Sequence, residues 1–319
     1  MSGTSTLGPV RAEPARPRAA RWLHGRTARH PLAAFLVLAS GAGGSLTTTV
    51  LLVTRGVLPG GDLVARLPGA PDELAGLLLT LGALLPAALY VTWAADGSDG
   101  LRRLARRIVL WRVGLGWWLL VLAGLPVLTV LVAVAQGDSL RSVQPLPFVA
   151  AQVFHLLLNL ALVNLWEEAA WSGVVQTRLE ERHSLYVAAL LTAVPFALVH
   201  WPLAFFDGRE ATVAGAAGAL AGYLVLGAIF RPMLAVVLRG TGGSVLLVAV
   251  LHSMFNRSNN TNGIAAGLLD GEDRGLAVLV AALLVTAVGA VAARGHRPSR
   301  VRRRGAHRRS ASPAARRPR

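Results

Sequence analysis

The stretch FVAAQVFHLLLNLALVNLWEEAAWSGVVQTRLEER, residues 148–182, decides the fold. An apolar run of about 20 residues is long enough to cross a hydrocarbon core roughly 30 Å thick as a helix. Glu167 and Glu168 follow this run directly, and the charged cluster that marks the helix exit begins only at Arg178. We therefore expect a helix from about Val153 to Arg178 that carries two adjacent carboxylates near its middle.

The composition of the 319-residue chain places the rest of it in a membrane as well. Hydrophobic residues make up 54% and charged residues 15% of the chain, whereas soluble domains carry about 25% charged residues. The mean hydropathy is +0.53. The apolar segments of spanning length are roughly 32–53, 73–95, 113–135, 148–176, 185–206, 211–230, 234–256 and 275–293. The sequence predicts an all-α polytopic transmembrane helix bundle of about eight spans.

The two ends of the chain differ in composition from this apolar region. Residues 1–31 are rich in Arg and Pro, and residues 295–319 are rich in Arg. Segments of this kind bury too little apolar surface to fold alone. We expect two disordered cytoplasmic tails around a transmembrane domain at 32–294. No short apolar stretch with a cleavage site follows the first tail, so we interpret it as a tail and not as a cleaved signal.

The basic residues indicate the orientation. All 32 are Arg, the net charge is +16, and the segments expected on the inner side carry 26 of them. The positive-inside rule then places both termini in the cytoplasm. This distribution explains the charge without nucleic acid, and no nucleic-acid partner is expected. The Arg-rich segments are expected to contact a lipid bilayer with anionic headgroups.

The segment LRRLARRIVLWRVGLGWW, residues 101–118, separates Arg from Leu and Ile at helical spacing. It predicts a short amphipathic helix lying on the inner leaflet before the third span. Trp111, Trp117 and Trp118 are expected at the membrane interface.

Polar side chains inside the predicted spans need a reason, because an ionisable residue there costs about 2.5–3.5 kcal/mol. The chain has no Cys, so a thiol nucleophile is excluded. The candidates are His155, Asn159, Asn164, Glu167, Glu168, His200, His252 and Asn256.

These acids, imidazoles and amides occur at comparable depths on three predicted helices. Neighbouring helical residues point about 100° apart, so one Glu can face a cavity and the other a partner helix. His252 and Asn256 share a helix face because they are four residues apart. His155 and Asn159 have the same spacing and could equally join helices. Such a set can activate water and stabilise an oxyanion, which is peptide hydrolysis without a Ser or Cys nucleophile.

Three motifs in this order resemble the CPBP family of intramembrane proteases, which includes type II CAAX prenyl endopeptidases and bacteriocin-processing (Abi) enzymes. The family pattern is EExxxR, then FxxxH, then HxxxN on successive membrane helices. The matching residues here are Glu167-Glu168 with Ser172, Phe196 with His200, and His252 with Asn256. The resemblance covers about residues 100–256.

The resemblance implies an intramembrane endopeptidase with the catalytic residues Glu167, Glu168, His200, His252 and Asn256. In the family, the residue matching Glu167 activates water with help from the His matching His200. The residues matching His252 and Asn256 hold a metal or stabilise the oxyanion. The ligand set Glu167, His200 and His252 suits Zn²⁺ with an open position for water, and the same residues could work without a metal.

The resemblance also implies a membrane protein or peptide as the substrate. The Arg-only, Ala- and Gly-rich composition is typical of a high-GC bacterium, so we expect a multi-pass protein of the cell (plasma) membrane. The orientation predicts cleavage near the cytoplasmic leaflet, in a cleft that opens to the cytoplasmic side.

One residue departs from the family pattern. The Arg four residues after the second Glu is Ser172 here. Glu168 is then protonated, or Arg178 or another helix supplies the charge, or the enzyme is impaired. Two other functions stay open: a pseudo-protease acting as a membrane scaffold or binding protein, and a proton-coupled transporter, since buried Glu and His also form proton relays.

Overall fold

The computed structural model describes residues 18–67, 69–206, 212–271 and 274–295. Most of the two tails expected at 1–31 and 295–319 lies outside these residues. Within the first of them, Arg18–Arg29 form a helix. His24 of this helix packs against Trp93, with ring centroids 4.9 Å apart.

The described residues form helices and contain no strand, apart from one isolated bridge between Leu140 and Leu269. Several long helices contain π-helical turns and are named here as single elements. In chain order the elements are α1 (Arg18–Arg29), α2 (Pro31–Thr54), α3 (Gly61–Arg66), α4 (Pro71–Ile108), α5 (Leu115–Ala135), α6 (Pro145–Leu179), α7 (Leu185–His200), α8 (Val213–Gly240), α9 (Val245–Asn259), α10 (Ile264–Leu268) and α11 (Gly275–Gly295).

Seven of these helices are long and apolar enough to cross a membrane, counted over the described residues: α2, α4, α5, α6, α7 with the 3₁₀ turn Trp201–Phe205, α8 and α11. The all-α polytopic bundle is confirmed. The eighth expected span corresponds to α9, which has only 15 residues. Its neighbours bury it almost completely, because twelve of those 15 side chains are buried.

α9 nevertheless runs from one end of the bundle to the other. At its beginning, the hydroxyl of Ser244 donates to the backbone carbonyl of Leu110, which follows α4. At its end, the guanidinium of Arg257 donates to Gln152 near the start of α6. The chain therefore traverses the bundle eight times, and α2 begins at the same end at which α11 finishes. We call this the Arg-rich end, and the opposite one the Arg-poor end.

One predicted boundary is wrong. Separate spans were expected at 211–230 and 234–256, with an inner loop between them. Instead α8 continues through Arg231 and Pro232 to Gly240. A proline in a bundle helix is tolerated because neighbouring helices satisfy the freed backbone group. Arg231 is therefore a residue of the bundle interior, 1% exposed.

The amphipathic segment is confirmed only in its first half. Gly97 has a φ of 64°, which glycine adopts readily and which breaks the helical path of α4. The helix beyond it ends at Ile108, and Trp117 lies in the first turn of α5, buried against Gly240. Arg107 turns inward and donates to the carbonyls of Gly173 and Gly243.

The helix that carries the acid pair is regular only in part. Residues Leu160–Asn164 and Trp171–Gln176 form π-helical turns, and the α-helical stretch between them is Leu165–Ala170. π-Helical turns are rare and occur often at functional sites. Glu167 and Glu168 thus lie on a short segment between two wide turns, at the centre of the hydrophobic core.

The core around this segment is built from aromatic side chains. Trp171, Phe196 and Phe230 are at most 5% exposed, and the ring of Phe196 contacts both of the others. α7 and α8 approach closely where Gly227 lies against Ala193, since a Cβ at Gly227 would lie 3.2 Å from that of Ala193. This close contact brings His200 of α7 beside α8.

Candidate active site

The carboxylate of Glu168 is completely buried and is held by three side chains. Arg231 of α8 donates to both of its oxygens, at 2.8 and 3.1 Å. Nδ1 of His252 lies 2.9 Å from Oε1. The hydroxyl of Ser172 donates to Oε2. A buried carboxylate is tolerated only when paired and hydrogen-bonded, and these partners meet both conditions.

Arg231 occupies the functional place that the family pattern gives to the Arg one turn after the Glu pair. Its second terminal nitrogen donates to the hydroxyl of Ser172, at 3.1 Å. The small Ser172 side chain therefore leaves room for a guanidinium that arrives from another helix. Of the three possibilities left open by the sequence, the geometry is that of a charge supplied by another helix. Arg178 does not supply it, because its guanidinium pairs with Asp96.

Glu167 faces away from this cluster and toward His200. Nε2 of His200 lies 3.1 Å from Oε1 of Glu167, and Glu167 is 4% exposed. The other ring nitrogen, Nδ1, lies 2.7 Å from the carbonyl oxygen of Phe196. Because a carbonyl only accepts, Nδ1 carries a hydrogen. Nε2 then faces Oε1 of Glu167 at 3.1 Å, although the contact lacks the alignment of a hydrogen bond.

The same reasoning fixes the tautomer of His252. An ionised carboxylate only accepts, so Nδ1 of His252 donates to Glu168. Nε2 of His252 does not contact Glu168 and is available to a group in the space in front of the ring. Glu168 thus acts on that space through His252, as a carboxylate that orients a histidine does in many sites.

A cavity of about 230 Å³ lies against both histidines and Glu167. Its ionisable lining groups, apart from Tyr223, are these three residues. The other polar lining residues are Thr80, Asn164, Asn256 and Asn259, and its apolar lining includes Leu79, Leu203, Phe196, Phe230 and Phe255. The expected convergence of acid, imidazoles and amide on one cavity is present in the geometry.

Two expected residues stay outside it. The amide of Asn159 donates to the backbone carbonyl of His155 on its own helix, and the ring of His155 contacts Phe154. Neither residue lines the cavity. Their spacing is the same as that of His252 and Asn256, so spacing alone did not separate the two pairs.

The structure adds Asn164, for which the sequence suggested no role. Its side-chain oxygen accepts from Ser253 at 2.9 Å. Its side-chain nitrogen is buried without a hydrogen-bond partner among the described residues, and the residue lines the cavity. A buried unpaired donor beside a cavity is available to a ligand.

The residues that the sequence suggested as metal ligands are Glu167, His200 and His252. In the described part of the chain, no group of three His, Cys, Asp or Glu side chains is placed to hold a metal ion. The set Glu167, His200 and His252 does not fit a shared ion in this arrangement, so we derive no step through a metal.

Residues 149–258 match the family model described as type II CAAX prenyl endopeptidase Rce1-like. The match covers 110 of the 319 residues, and this segment is similar to that family. The resemblance to the CPBP proteases is thereby confirmed, and an intramembrane endopeptidase is supported in general terms. No curated protein matches the chain, and no solved structure does.

The matched segment begins in α6 and ends in α9, so it contains all three motifs and Arg231. Leu79 and Thr80 of α4 precede it in sequence and still line the cavity. Nothing in the hydrophobic pattern indicated them. Arg231 lies within the matched segment and was missed because the sequence pattern placed it in a loop.

The cavity does not extend toward the Arg-rich end. Its peripheral lining residues are Gly76 near the start of α4, Leu203 just after α7 and Asn259 at the end of α9. All three lie toward the Arg-poor end. On the other side, Phe230 and the Glu168–Arg231 pair fill the bundle, and Arg231 is 1% exposed. A second cavity, of about 540 Å³, lies at the Arg-rich, expected cytoplasmic, end among Arg103, Arg107 and Arg178, but none of the candidate site residues lines it.

Proposed function

We propose that this protein is an intramembrane endopeptidase in which Glu167 activates the hydrolytic water. The observation that carries the proposal is the 3.1 Å contact between Glu167 and His200 at the wall of a cavity that His252 and Asn256 also line. An acid–base pair beside a space large enough for a peptide bond is the arrangement that hydrolysis needs.

In this mechanism the Glu167–His200 pair holds one proton before the reaction, apart from the one on His200 Nδ1. A water in the cavity transfers a proton to this pair as its oxygen attacks the peptide carbonyl carbon. Both members are then protonated, and a tetrahedral oxyanion is formed. When the C–N bond breaks, the pair returns one proton to the leaving amine, and the products are a carboxylic acid and an amine.

We assign stabilisation of the oxyanion to His252 Nε2, Asn256 and the unpaired amide nitrogen of Asn164. The amide N–H groups of Asn164 and Asn256 donate to the oxyanion without a change in their own charge. His252 donates from Nε2 only as an imidazolium, and the carboxylate of Glu168 is placed to stabilise that cation. Removal of a single oxyanion donor typically lowers kcat about 10²–10³-fold.

We further propose that the protein acts in the cell membrane of a bacterium. The basis is its Arg-only, Ala- and Gly-rich sequence and its long apolar helices. Arg102, Arg103 and Arg106 are exposed on the segment before Ile108, and we assign to them a contact with anionic headgroups.

The proposal is tested by cleavage of a membrane peptide in detergent. Glu167→Gln keeps the size of the side chain and removes the base, so we expect cleavage to fall about 10²–10⁴-fold. The matched control is His155→Gln, which changes a polar residue of the same helix outside the cavity. Full activity of Glu167→Gln would leave a binding or scaffold role as the better account.

A chelator added to the same assay distinguishes hydrolysis without a metal from metal-dependent hydrolysis. Loss of activity with Glu167→Gln but not with chelator supports water activation by the Glu167–His200 pair alone. Loss with both, restored by added Zn²⁺, would contradict the metal-independent steps given above and require a rearranged ligand set.

A further inference from the structure

We propose that the substrate reaches the cavity from the extracytoplasmic side of the membrane, as an extended peptide with uncharged side chains around the cleaved bond. The inference rests on the proposed peptidase function. It assigns the side of entry and the substrate class, and its starting point is the position of the cavity relative to the charges of the bundle.

The first step is the position of the cavity. Gly76, Leu203 and Asn259 form its periphery, and each lies at a helix end on the Arg-poor side. Toward the Arg-rich end lies a second cavity of about 540 Å³ that Glu167, His200 and His252 do not line, and buried groups lie beside the site on that side. These are Trp171 and Glu168, both 0% exposed, and Arg231, 1% exposed. We therefore place the path of a peptide to Glu167 at the Arg-poor end, toward which the cavity lined by Glu167 extends.

The second step is the charge of the two ends. Counted over the described residues, the Arg-rich end carries Arg18, Arg21, Arg26, Arg29, Arg102, Arg103, Arg106, Arg107, Arg112, Arg178, Arg182, Arg239 and Arg294. The Arg-poor end carries Arg55, Arg66, Arg141, Arg257 and Arg274. Arg231 belongs to neither, since it is buried between them. Short segments rich in Arg stay in the cytoplasm, so the Arg-poor end faces outward.

The third step is the chemistry of the cavity wall. Apart from the proposed catalytic groups, the lining residues carry no formal charge. Aromatic and aliphatic side chains dominate, with the amides of Asn164, Asn256 and Asn259 between them. Burial of an unpaired charge is costly. The cavity thus selects a segment of apolar and small polar residues, such as the part of a membrane protein that leaves the outer leaflet.

The absence of Cys from the chain makes the side of entry measurable. Thr261 lies exposed just past α9 at the Arg-poor end, and His183 lies exposed between α6 and α7 at the Arg-rich end. We expect a membrane-impermeant maleimide to label Thr261→Cys in intact cells and to label His183→Cys only after permeabilisation. Unaltered protein is the unlabelled control. The reverse pattern, or equal labelling of both variants in intact cells, would overturn the inference.

A second measurement tests entry directly. Wild-type protein in right-side-out vesicles should cleave an added peptide with uncharged residues around its cleavage site, whereas inside-out vesicles should not. Placing Arg or Asp beside the cleaved bond should slow cleavage in detergent by about tenfold or more. Equal rates for charged and uncharged peptides would contradict the substrate class.

Different results would contradict the peptidase function and the proposed side of entry. Detergent removes the difference between the two sides, so a wild-type protein that cleaves no peptide in detergent contradicts the peptidase function. Cleavage in detergent and in inside-out vesicles, without cleavage in right-side-out vesicles, leaves the peptidase function intact and overturns only the side of entry.

Discussion

Glu168 shows how one substitution in a motif is compensated from elsewhere in the bundle. The residue one turn later is Ser172, and the charge that balances Glu168 comes from Arg231 on α8, 2.8 Å away. A buried ion pair contributes little net stability, but removal of one partner leaves an uncompensated charge that costs about 3–5 kcal/mol. The Glu168–Arg231 pair therefore serves to position His252 more than to stabilise the fold.

We expect Arg231→Met to lower the thermal unfolding midpoint in detergent strongly and to abolish cleavage. The variant Ser172→Arg in the Arg231→Met background should restore part of both, because it returns the charge to its motif position. Arg239→Met is the control, since this Arg lies on the same helix with its side chain 51% exposed. Should Arg231→Met not fold, Arg231→Lys keeps the charge without the forked geometry. A stable, fully active Arg231→Met would contradict the role.

A substitution of Asn164 tests whether its amide nitrogen stabilises the oxyanion. Asn164→Ala removes the unpaired amide donor, and we expect kcat to fall about 10²–10³-fold with KM nearly unchanged. Ser253→Ala is the matched control, because it removes the hydrogen bond between these two residues and keeps the donor. If both variants lose activity equally, Asn164 acts through packing and not through the oxyanion.

At the scale of helices and loops, the connection before α6 is tied to the one after α10. Asp270 accepts from the hydroxyl of Ser139 at 2.7 Å and from the guanidinium of Arg141 at 2.9 Å. These hydrogen bonds, the one from Ser139 first, lower the pKa of Asp270 below its ordinary value of 3.8. These contacts of Asp270 with Ser139 and Arg141, called the clasp here, join two segments at the Arg-poor end.

This clasp gives a prediction about acid. A group whose pKa is lower in the folded state contributes stability above its unfolded value and loses it as the pH falls through the folded value. Protease sensitivity of the loop at 136–144 should therefore rise as the pH drops below about 4. Asp270→Asn should show the higher sensitivity already at neutral pH and lose the dependence. A wild-type loop with unchanged sensitivity in acid would contradict the clasp.

The sequence predicted the features that depend on composition and spacing. Apolar runs of spanning length predicted the helical bundle, and three motifs, now on α6, α7 and α9, predicted Glu167, His200 and His252 as site residues. Arg231 was missed because an Arg-Pro pair inside an apolar stretch is also how a loop between two spans looks. Asn164 was noticed without a role, since an unpaired donor is a property of the packed bundle. The π-helical turns of α6 leave no mark on the hydrophobic pattern.

For the described residues as a whole, eight traversals bring the start of α2 and the end of α11 to one side of the bundle. The proposed orientation, from the positive-inside rule, places that side in the cytoplasm. We expect a fluorescent reporter that folds only in the cytoplasm to be bright when fused to either terminus, and alkaline phosphatase fused at either terminus to be inactive. A bright reporter at one terminus and a dark one at the other would mean that α9 does not traverse the bundle.

The two wide turns on either side of Leu165–Ala170 have a consequence for how this helix tolerates change. A regular helix rotates all its side chains by about 100° when one residue is gained or lost. Here the flanking turns can absorb such a shift by tightening or loosening. The acid pair is thereby insulated from length variation in the outer parts of its own helix. Related chains can therefore lengthen or shorten those parts while the two carboxylates keep their orientation.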